Sequence, residues 1–376
     1  MDKEASMEKT YRFNGAENLP TPALVFFEEI IRGNIKEAIR IAGSPGRLRP
    51  HVKTHKTLEI SAMAVSMGIG AFKCATVSEA QMLAAAHAAD VLLSYPLFGR
   101  NASRFAALAA SQPGIKYSTI VDSPEGLAEI ARAAKEEKAK IGVFLDLDIG
   151  QHRTGIAPGD KAVALYSSIS THPGLYPAGL HCYDGHNHQT SADERREAAL
   201  SSYSIMDSVR SSLLALGLPV PEVVMGGTPT FPFYAEMKGV TLSPGTVFLQ
   251  DYSYSTSFPD MKFKPAAIIV TRVVSRSEER KEFCIDLGYK GISADPKGLR
   301  GLLLEMPEAE PVLQNEEHWV FKSPTGNLLP LGSVVHVMPT HICPTVALYE
   351  RAYVVGAEGE VSKEWKIAAR DRVVEI

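Results

Sequence analysis

The chain has 376 residues, roughly two and a half times a typical domain of about 150 residues, so a large domain with a smaller one, or a barrel with an appendage, fits the length. Apolar residues make up 45% and charged residues 22%, the composition of an ordinary globular protein. Lys plus Arg is 39 against 43 Asp plus Glu, a net charge of -4, which argues against a protein built to grip a phosphate backbone and leaves nucleic acid off the expected partners.

The N-terminal stretch MDKEASMEKTYRFNGAENLP is polar and shows no signal-peptide core. No uncharged apolar run reaches about 18 residues, so no membrane span is expected. Four cysteines, Cys74, Cys182, Cys284 and Cys343, form no CxxC pair and are too few for a disulfide scaffold. A reduced, cytoplasmic setting is the expectation.

In chain order, apolar β-like runs alternate with Ala-rich helical stretches. The runs are Leu48–Val52, Ala71–Cys74, Val91–Leu93, Lys116–Val121, Ile141–Leu145, Ala178–Cys182, Glu222–Met225 and Gly245–Leu249. Helices are predicted over Ser78–Ala89, Ser123–Lys138 and Ala192–Leu216. The second carries a cap Ser and a first-turn Pro. Eight short strands in about 200 residues predict a (β/α)8 barrel of TIM type, an α/β fold. An open doubly wound sheet is the rival. Beyond residue 250 the texture becomes strand-rich: Pro265–Val274, Glu282–Leu287, His318–Phe321, Ser333–Met338, Val346–Val355 and Val361–Ile367, with GAEGE as a hairpin turn before the last. The expected organisation is an N-terminal segment 1–20 packing on the β domain, a barrel over 21–250 and a C-terminal β domain over 251–376. Pro22–Val25 is a candidate for pairing with that domain.

Polar residues gather at candidate strand ends, the catalytic face of such a barrel. RPHVKTHK, Arg49–Lys56, is the densest cluster; an extended chain would put His51, Lys53 and His55 on one face. A lysine desolvated beside other cations can have a lowered pKa and act as a Schiff-base amine, whereas a solvated basic loop is the plain alternative. HCYDGHNHQ supplies His181, Tyr183, Asp184, His186 and His188, as acid–base groups, metal ligands or a capped loop. MGGTPT, Met225–Thr230, offers Gly226, Gly227 and Thr228 as a phosphate cup or a simple turn. LDLDIGQHRTGI adds Asp146, Asp148, His152 and Arg153. In PTHICPT, His341 and Cys343 sit two apart, on one side of an extended strand, and thiolate with imidazole favours zinc, with manganese or magnesium as alternatives.

These pieces together resemble the D-threonine aldolase and eukaryotic-type D-serine dehydratase family, pyridoxal-phosphate enzymes with an alanine-racemase-like barrel. TPALV at 21–25, RPHVKTHK at 49–56, DIGQHRTG at 148–155, YDGH at 183–186, GGTPT at 226–230, DLGYKGIS at 286–293, EH at 317–318 and HICPT at 341–345 carry the resemblance over nearly the whole chain. The resemblance implies that Lys53 holds pyridoxal 5'-phosphate covalently, that Gly226, Gly227 and Thr228 hold its phosphate, and that Arg153 and Tyr183 lie by its ring. It implies a divalent metal on His341 and Cys343, a homodimer, and a D-3-hydroxy amino acid as substrate: D-threonine, D-serine or D-3-hydroxyaspartate. Lys53, His51, His186 and His188 are the candidate catalytic groups. An amino-acid racemase of the same barrel and a non-catalytic pyridoxal-phosphate-binding protein are the alternatives.

Overall fold

The structure is a computed structural model and describes residues 10–373. Residues 1–9 of the expected N-terminal segment and 374–376 of the expected C-terminal domain lie outside the described residues. The chain folds as two compact units. A sheet unit takes residues 10–37, Thr54–Thr57 and Thr246–Arg370; a barrel unit takes Ala38–Lys53, Leu58–Gly245 and residues 371–373. The first strand, Ala23–Phe27 (β1), therefore lies with the sheet unit and not with the barrel strands.

The barrel unit contains seven parallel strands, each beside the next: Ala71–Cys74 (β2), Asp90–Leu93 (β3), Lys116–Val121 (β4), Ile141–Asp146 (β5), Leu175–Cys182 (β6), Glu222–Met225 (β7) and Val240–Leu242 (β8). The run expected as the first barrel strand is not a regular strand. Residues 48–51 make isolated bridges, Leu48 to Leu242 and His51 to Lys73. Pro50 has no N–H and interrupts the ladder. Its carbonyl still accepts from Lys73 N–H at 2.9 Å, while Arg49 N–H donates to Leu242 O at 2.8 Å and His51 N–H to Pro244 O at 2.9 Å. The segment thus joins β8 to β2 and closes the (β/α)8 barrel.

Strands buried on both faces read as apolar runs, which is why most were legible. Leu92, Ile120, Phe144, Ala178 and Val224, one from each of β3 to β7, form a cluster of buried apolar side chains. Helix starts follow their caps. Thr76 accepts from Glu79 N–H at 3.1 Å, so that helix begins at Val77, one residue before the expected Ser78. Ser123 accepts from Gly126 N–H at 3.2 Å ahead of Pro124–Glu137, and Ser191 caps Ala192–Ala215. Gly245–Leu249, expected as a strand, contains a 3-10 turn over Thr246–Phe248. Its residues are apolar because they are buried, not because they are extended.

The sheet unit is a mixed sheet of β1 with Ala267–Ser277 (β9), Glu282–Ile285 (β10), Gly301–Leu303 (β11), Glu310–Gln314 (β12), Trp319–Lys322 (β13), Val334–Pro339 (β14), Arg351–Val355 (β15) and Val361–Lys366 (β16). β1 pairs antiparallel with β9 and parallel with β15. Trp319, Phe321, Phe283 and Ile285 pack one core, Val25, Phe27, Ile268 and Val270 another. The Val346–Val355 run is split between a short helix, Ile342–Ala347, and β15. β15 and β16 meet at the expected hairpin, where Gly356 N–H donates to Glu360 O at 3.1 Å. Among the described residues no helix is long and apolar enough to cross a membrane.

Candidate active site

At the C-terminal ends of the barrel strands lies a cavity of about 710 Å³, a volume suited to a cofactor with a small substrate. His51, Lys53, Lys73, Arg153, His181 and Tyr183 face it, and none of its lining residues is acidic. It is built to receive negative charge.

His51 and Lys53 reach it from the segment that closes the barrel. Val52–Thr54 turns as a 3-10 helix, so the alternation expected of an extended RPHVKTHK fails after His51. Lys53 N–H donates to His51 Nδ1 at 3.3 Å, which leaves the His51 Nε2 toward Ser94 Oγ at 3.5 Å. His55 is turned elsewhere. It is buried against Thr57, whose N–H donates to its Nδ1 at 3.2 Å, and stacks on Phe248. Burial, with the Lys56 charge, pushes its pKa down to about 3, so it stays neutral.

The end of β5 and β6 adds a buried pair. Asp146 and His181 are register partners in the parallel ladder, and Asp146 Oδ1 lies 2.6 Å from His181 Nδ1. Thr154 Oγ1 donates to the other carboxylate oxygen at 2.8 Å. His181 Nε2 then meets Lys73 Nζ at 3.4 Å. Lys73 is only 3% exposed. Burial first, then the neighbouring Lys53 charge, pulls its pKa down to about 7 against the pull of Asp146 and Asp184. Lys73 was missed in the sequence; its signal is a lone charge inside the apolar strand AFKC.

The YDGH loop divides its residues. The Tyr183 ring faces the cavity beneath two cations, Arg153 at 5.0 Å and Lys73 at 5.6 Å from its centroid. Asp184 is structural: one carboxylate oxygen accepts from Gly227 N–H at 2.9 Å and the other from Tyr234 Oη at 2.8 Å. Neither His186 nor His188 lines the cavity. His188 is exposed. His186 packs under Gly150, where a Cβ would stand 2.7 Å from its Nε2. Asp148 accepts from the N–H groups of Gly150 and His152, both at 3.0 Å, and so shapes the loop that carries Arg153.

MGGTPT forms a tight turn at the end of β7. Gly226 has φ +88, and a Cβ there would meet Tyr234 at 2.9 Å, so only glycine fits without a shift. The Gly227 N–H is committed to Asp184, which removes it from the donors expected for a phosphate. Thr228 Oγ1 accepts from Gly245 N–H at 3.3 Å. On the neighbouring β8 end the buried Ser243 Oγ has no hydrogen-bond partner, a donor left open for an anion. Thr228 and Ser243 therefore fit the phosphate of a pyridoxal group.

In the sheet unit His341 and Cys343 do not share an extended strand, as β14 ends at Pro339 and His341 precedes the helix Ile342–Ala347. The two still meet. Burial works against a charged His341, but its hydrogen bond to Cys343 and the Asp295 carboxylate, 2.6 Å from Nδ1, raise its pKa to about 9. Cys343 Sγ also lies 3.1 Å from Thr54 Oγ1. A carboxylate on one ring nitrogen is how metal-binding histidines are oriented. Among the described residues no group of three or more His, Cys, Asp and Glu side chains is placed to hold a metal ion.

Residues 29–252 match the family model of the alanine racemase N-terminal domain, and residues 266–355 that of a putative serine dehydratase domain. The first match spans more than half the chain. The chain belongs to the alanine racemase N-terminal domain family. Within it, the chain is 29% identical to a D-threonine aldolase of Arthrobacter sp over 86% of this chain and 85% of the relative. It is 25% identical to a D-threo-3-hydroxyaspartate dehydratase of Delftia sp. over 91% and 96%. The crystal structure of D-threonine aldolase from Filomicrobium marinum superposes with a TM-score of 0.87 at 28% identity, covering 94% of this chain and 96% of that one. The chain is thus an alanine-racemase-like enzyme with clear homology to the aldolases and dehydratases, a pyridoxal-phosphate-dependent lyase by family.

Proposed function

We propose that this lyase acts on D-3-hydroxy amino acids, by aldol cleavage or by dehydration. The observation that carries the reading is the barrel-end cavity, where Lys53, Arg153 and Tyr183 converge with no acidic neighbour in the lining. Lys53 would hold pyridoxal phosphate, Thr228 and Ser243 its phosphate, with the Gly226 turn giving close approach, and Tyr183 and Arg153 its ring. Bound there, the cofactor would supply an electron sink for the substrate α-carbon.

The protein's own groups do the rest. The cationic lining would bind the substrate carboxylate. His51, with Nδ1 occupied by Lys53 N–H, presents Nε2 on the Ser94 side as a proton-carrying group. Neither His186 nor His188 lines the cavity, so the hydroxyl proton expected to go to one of them in cleavage falls to a lining group such as His51, and Lys53 would take the α-proton in dehydration. His341 and Cys343 would hold a divalent ion, zinc by preference for sulfur, and such an ion would supply Lewis-acid chemistry. A homodimer and a cytoplasmic location go with this reading.

Incubation with D-threonine, D-serine and D-3-hydroxyaspartate, with products separated, tests it. Glycine with an aldehyde means cleavage; a keto acid with ammonia means dehydration. Stereochemical inversion alone would replace the proposal with a racemase. A Lys53→Ala protein that keeps the absorbance band of lysine-bound pyridoxal phosphate refutes the anchor.

A further inference from the structure

Lys73 sits where a barrel strand ordinarily places an apolar residue. It stands in register with Leu92 on β3, which belongs to the buried apolar cluster, and with His51 on the other side. A lysine held only for stability finds a carboxylate, because an unpaired buried cation is costly. The Lys73 Nζ instead meets His181 Nε2 and the Tyr183 face, and it opens on the cavity that Lys53 lines. The Asp146 carboxylate fixes the imidazole: a proton on His181 Nδ1 points to Asp146, which leaves Nε2 as an acceptor for a Lys73 N–H.

We propose that Lys73 is a second acid–base group of the cavity, separate in role from Lys53, with His181 and Asp146 as its positioning residues. This rests on the lyase reading above. Both routes need a proton delivered inside the cavity. In dehydration the C–O bond breaks with its electron pair on oxygen, and a proton from Lys73 Nζ turns the departing hydroxide into water. In cleavage the Cα–Cβ bond breaks, the pair stays at the α-carbon, and the proton goes there. The amine regains the proton that the other half of the reaction frees, the α-proton or the hydroxyl proton, so no proton is gained or lost overall. The groups that set its charge are Lys53 and Arg153, which disfavour the ammonium, and Asp146 and Asp184, which favour it, together with the contacting His181 and burial, the largest influence of all.

Two measurements on the holoenzyme test this. The first is competitive labelling with acetic anhydride across pH 5 to 10, read by peptide mass spectrometry with exposed lysines as internal standards. Lys73 is expected to gain its reactivity at a pH well below the surface lysines, because burial, the first influence on its charge, persists in the holoenzyme. A Lys73 that stays inert throughout, or follows the surface lysines, overturns the proposal. The second compares Lys73→Met and Lys73→Arg with the wild type. Both are expected to keep the absorbance band of lysine-bound pyridoxal phosphate while kcat falls about 100-fold or more and its limb near neutral pH disappears. Full kcat with an unchanged pH profile in Lys73→Arg makes the residue a structural cation and refutes the role. Loss of the band in Lys73→Met with its survival in Lys53→Ala exchanges the two lysines and also refutes it. A wild-type protein with no such band refutes the lyase reading instead, and the labelling result then judges Lys73 by itself.

Discussion

Arg49 grips Glu222 through two parallel bonds, Nε to Oε1 at 3.1 Å and Nη2 to Oε2 at 2.9 Å. The remaining Nη1 donates to Asp90 at 2.8 Å. One buried guanidinium, 1% exposed, thereby ties the closing segment to β7 and β3. Burial alone would disfavour the cation, but the two carboxylates hold the Arg49 pKa above its ordinary value. Removing one member of such a group leaves buried charge without compensation. Arg49→Met is therefore expected to destabilise the protein by roughly 3–5 kcal/mol, seen as a lower chemical-denaturation midpoint. A midpoint within error of the wild type would show that the barrel closes without this cluster. Asp90 adds a sign in pH. Its folded pKa lies below the usual 3.8 because Arg49, then Lys116, outweigh burial. Its contribution is present above that pH and is lost as pH falls through the folded value, so the wild-type advantage over Arg49→Met shrinks in acid.

Gly179 makes a second demand on the barrel. It lies in β6 at φ +140, and a Cβ there would collide with the backbone carbonyl of Glu222 on β7. The clash is with backbone, which has no rotamer to escape into. Gly179→Ala is expected to lose several kcal/mol or to accumulate insoluble, since strain and steric overlap act together. Solubility and a thermal melt read it. A melt unchanged from the wild type would show that β6 and β7 separate freely at this point.

How far the sequence carried depends on which force dominates each segment. β2, β4 and β7 are readable to the residue because double-sided burial writes an apolar run with clean ends. The segment 48–52 reads the same way but bridges only at Leu48 and His51, as Pro50 cannot donate to a ladder. β12 escaped notice because it is an exposed edge strand, EPVLQ, with no apolar alternation. At the site, motif residues were legible as chemistry but not as geometry. His51 and Lys53 share the cavity while His55 leaves it, because a 3-10 turn replaces extended chain. Lys73 and Ser243 belong to no polar cluster in the sequence, and only folding brings them beside one.

The metal reading rests on two donors, and its direct readout is metal content. Purified wild type is expected to carry close to one equivalent of a divalent ion by elemental analysis. Cys343→Ala and His341→Ala are each expected to carry little. Chelation should lower activity with D-3-hydroxy amino acids, and zinc or manganese should restore it. Full activity in a Cys343→Ala protein stripped of metal would remove the ion from the mechanism. Asp295→Asn is the subtler variant: it frees the ring nitrogen that Asp295 now fixes, and a 10- to 100-fold weaker metal affinity is expected, as for other orienting partners.

The chemistry proposed for Lys73 has a cost in stability, and the sign of that cost can be worked out. Its pKa in the folded protein is about 7, against 10.5 for the free side chain, with burial as the first cause. Between these values the unfolded chain binds the proton that the folded chain has released. Stability therefore rises with pH across that window. Below about pH 7 both states are charged, and the full penalty of burying the ammonium is present. Lys73→Met, similar in length and without charge, is expected to melt higher than the wild type at pH 6. The gap should narrow as pH climbs toward 10 and all but close there. Melting curves on apo-protein at several pH values check this without any turnover. A variant that melts lower at every pH would mean that the contacts to His181 and Tyr183 outweigh the desolvation of the amine. The expected opposite, a loss of activity with a gain in stability, is what a strained functional group leaves when it is removed.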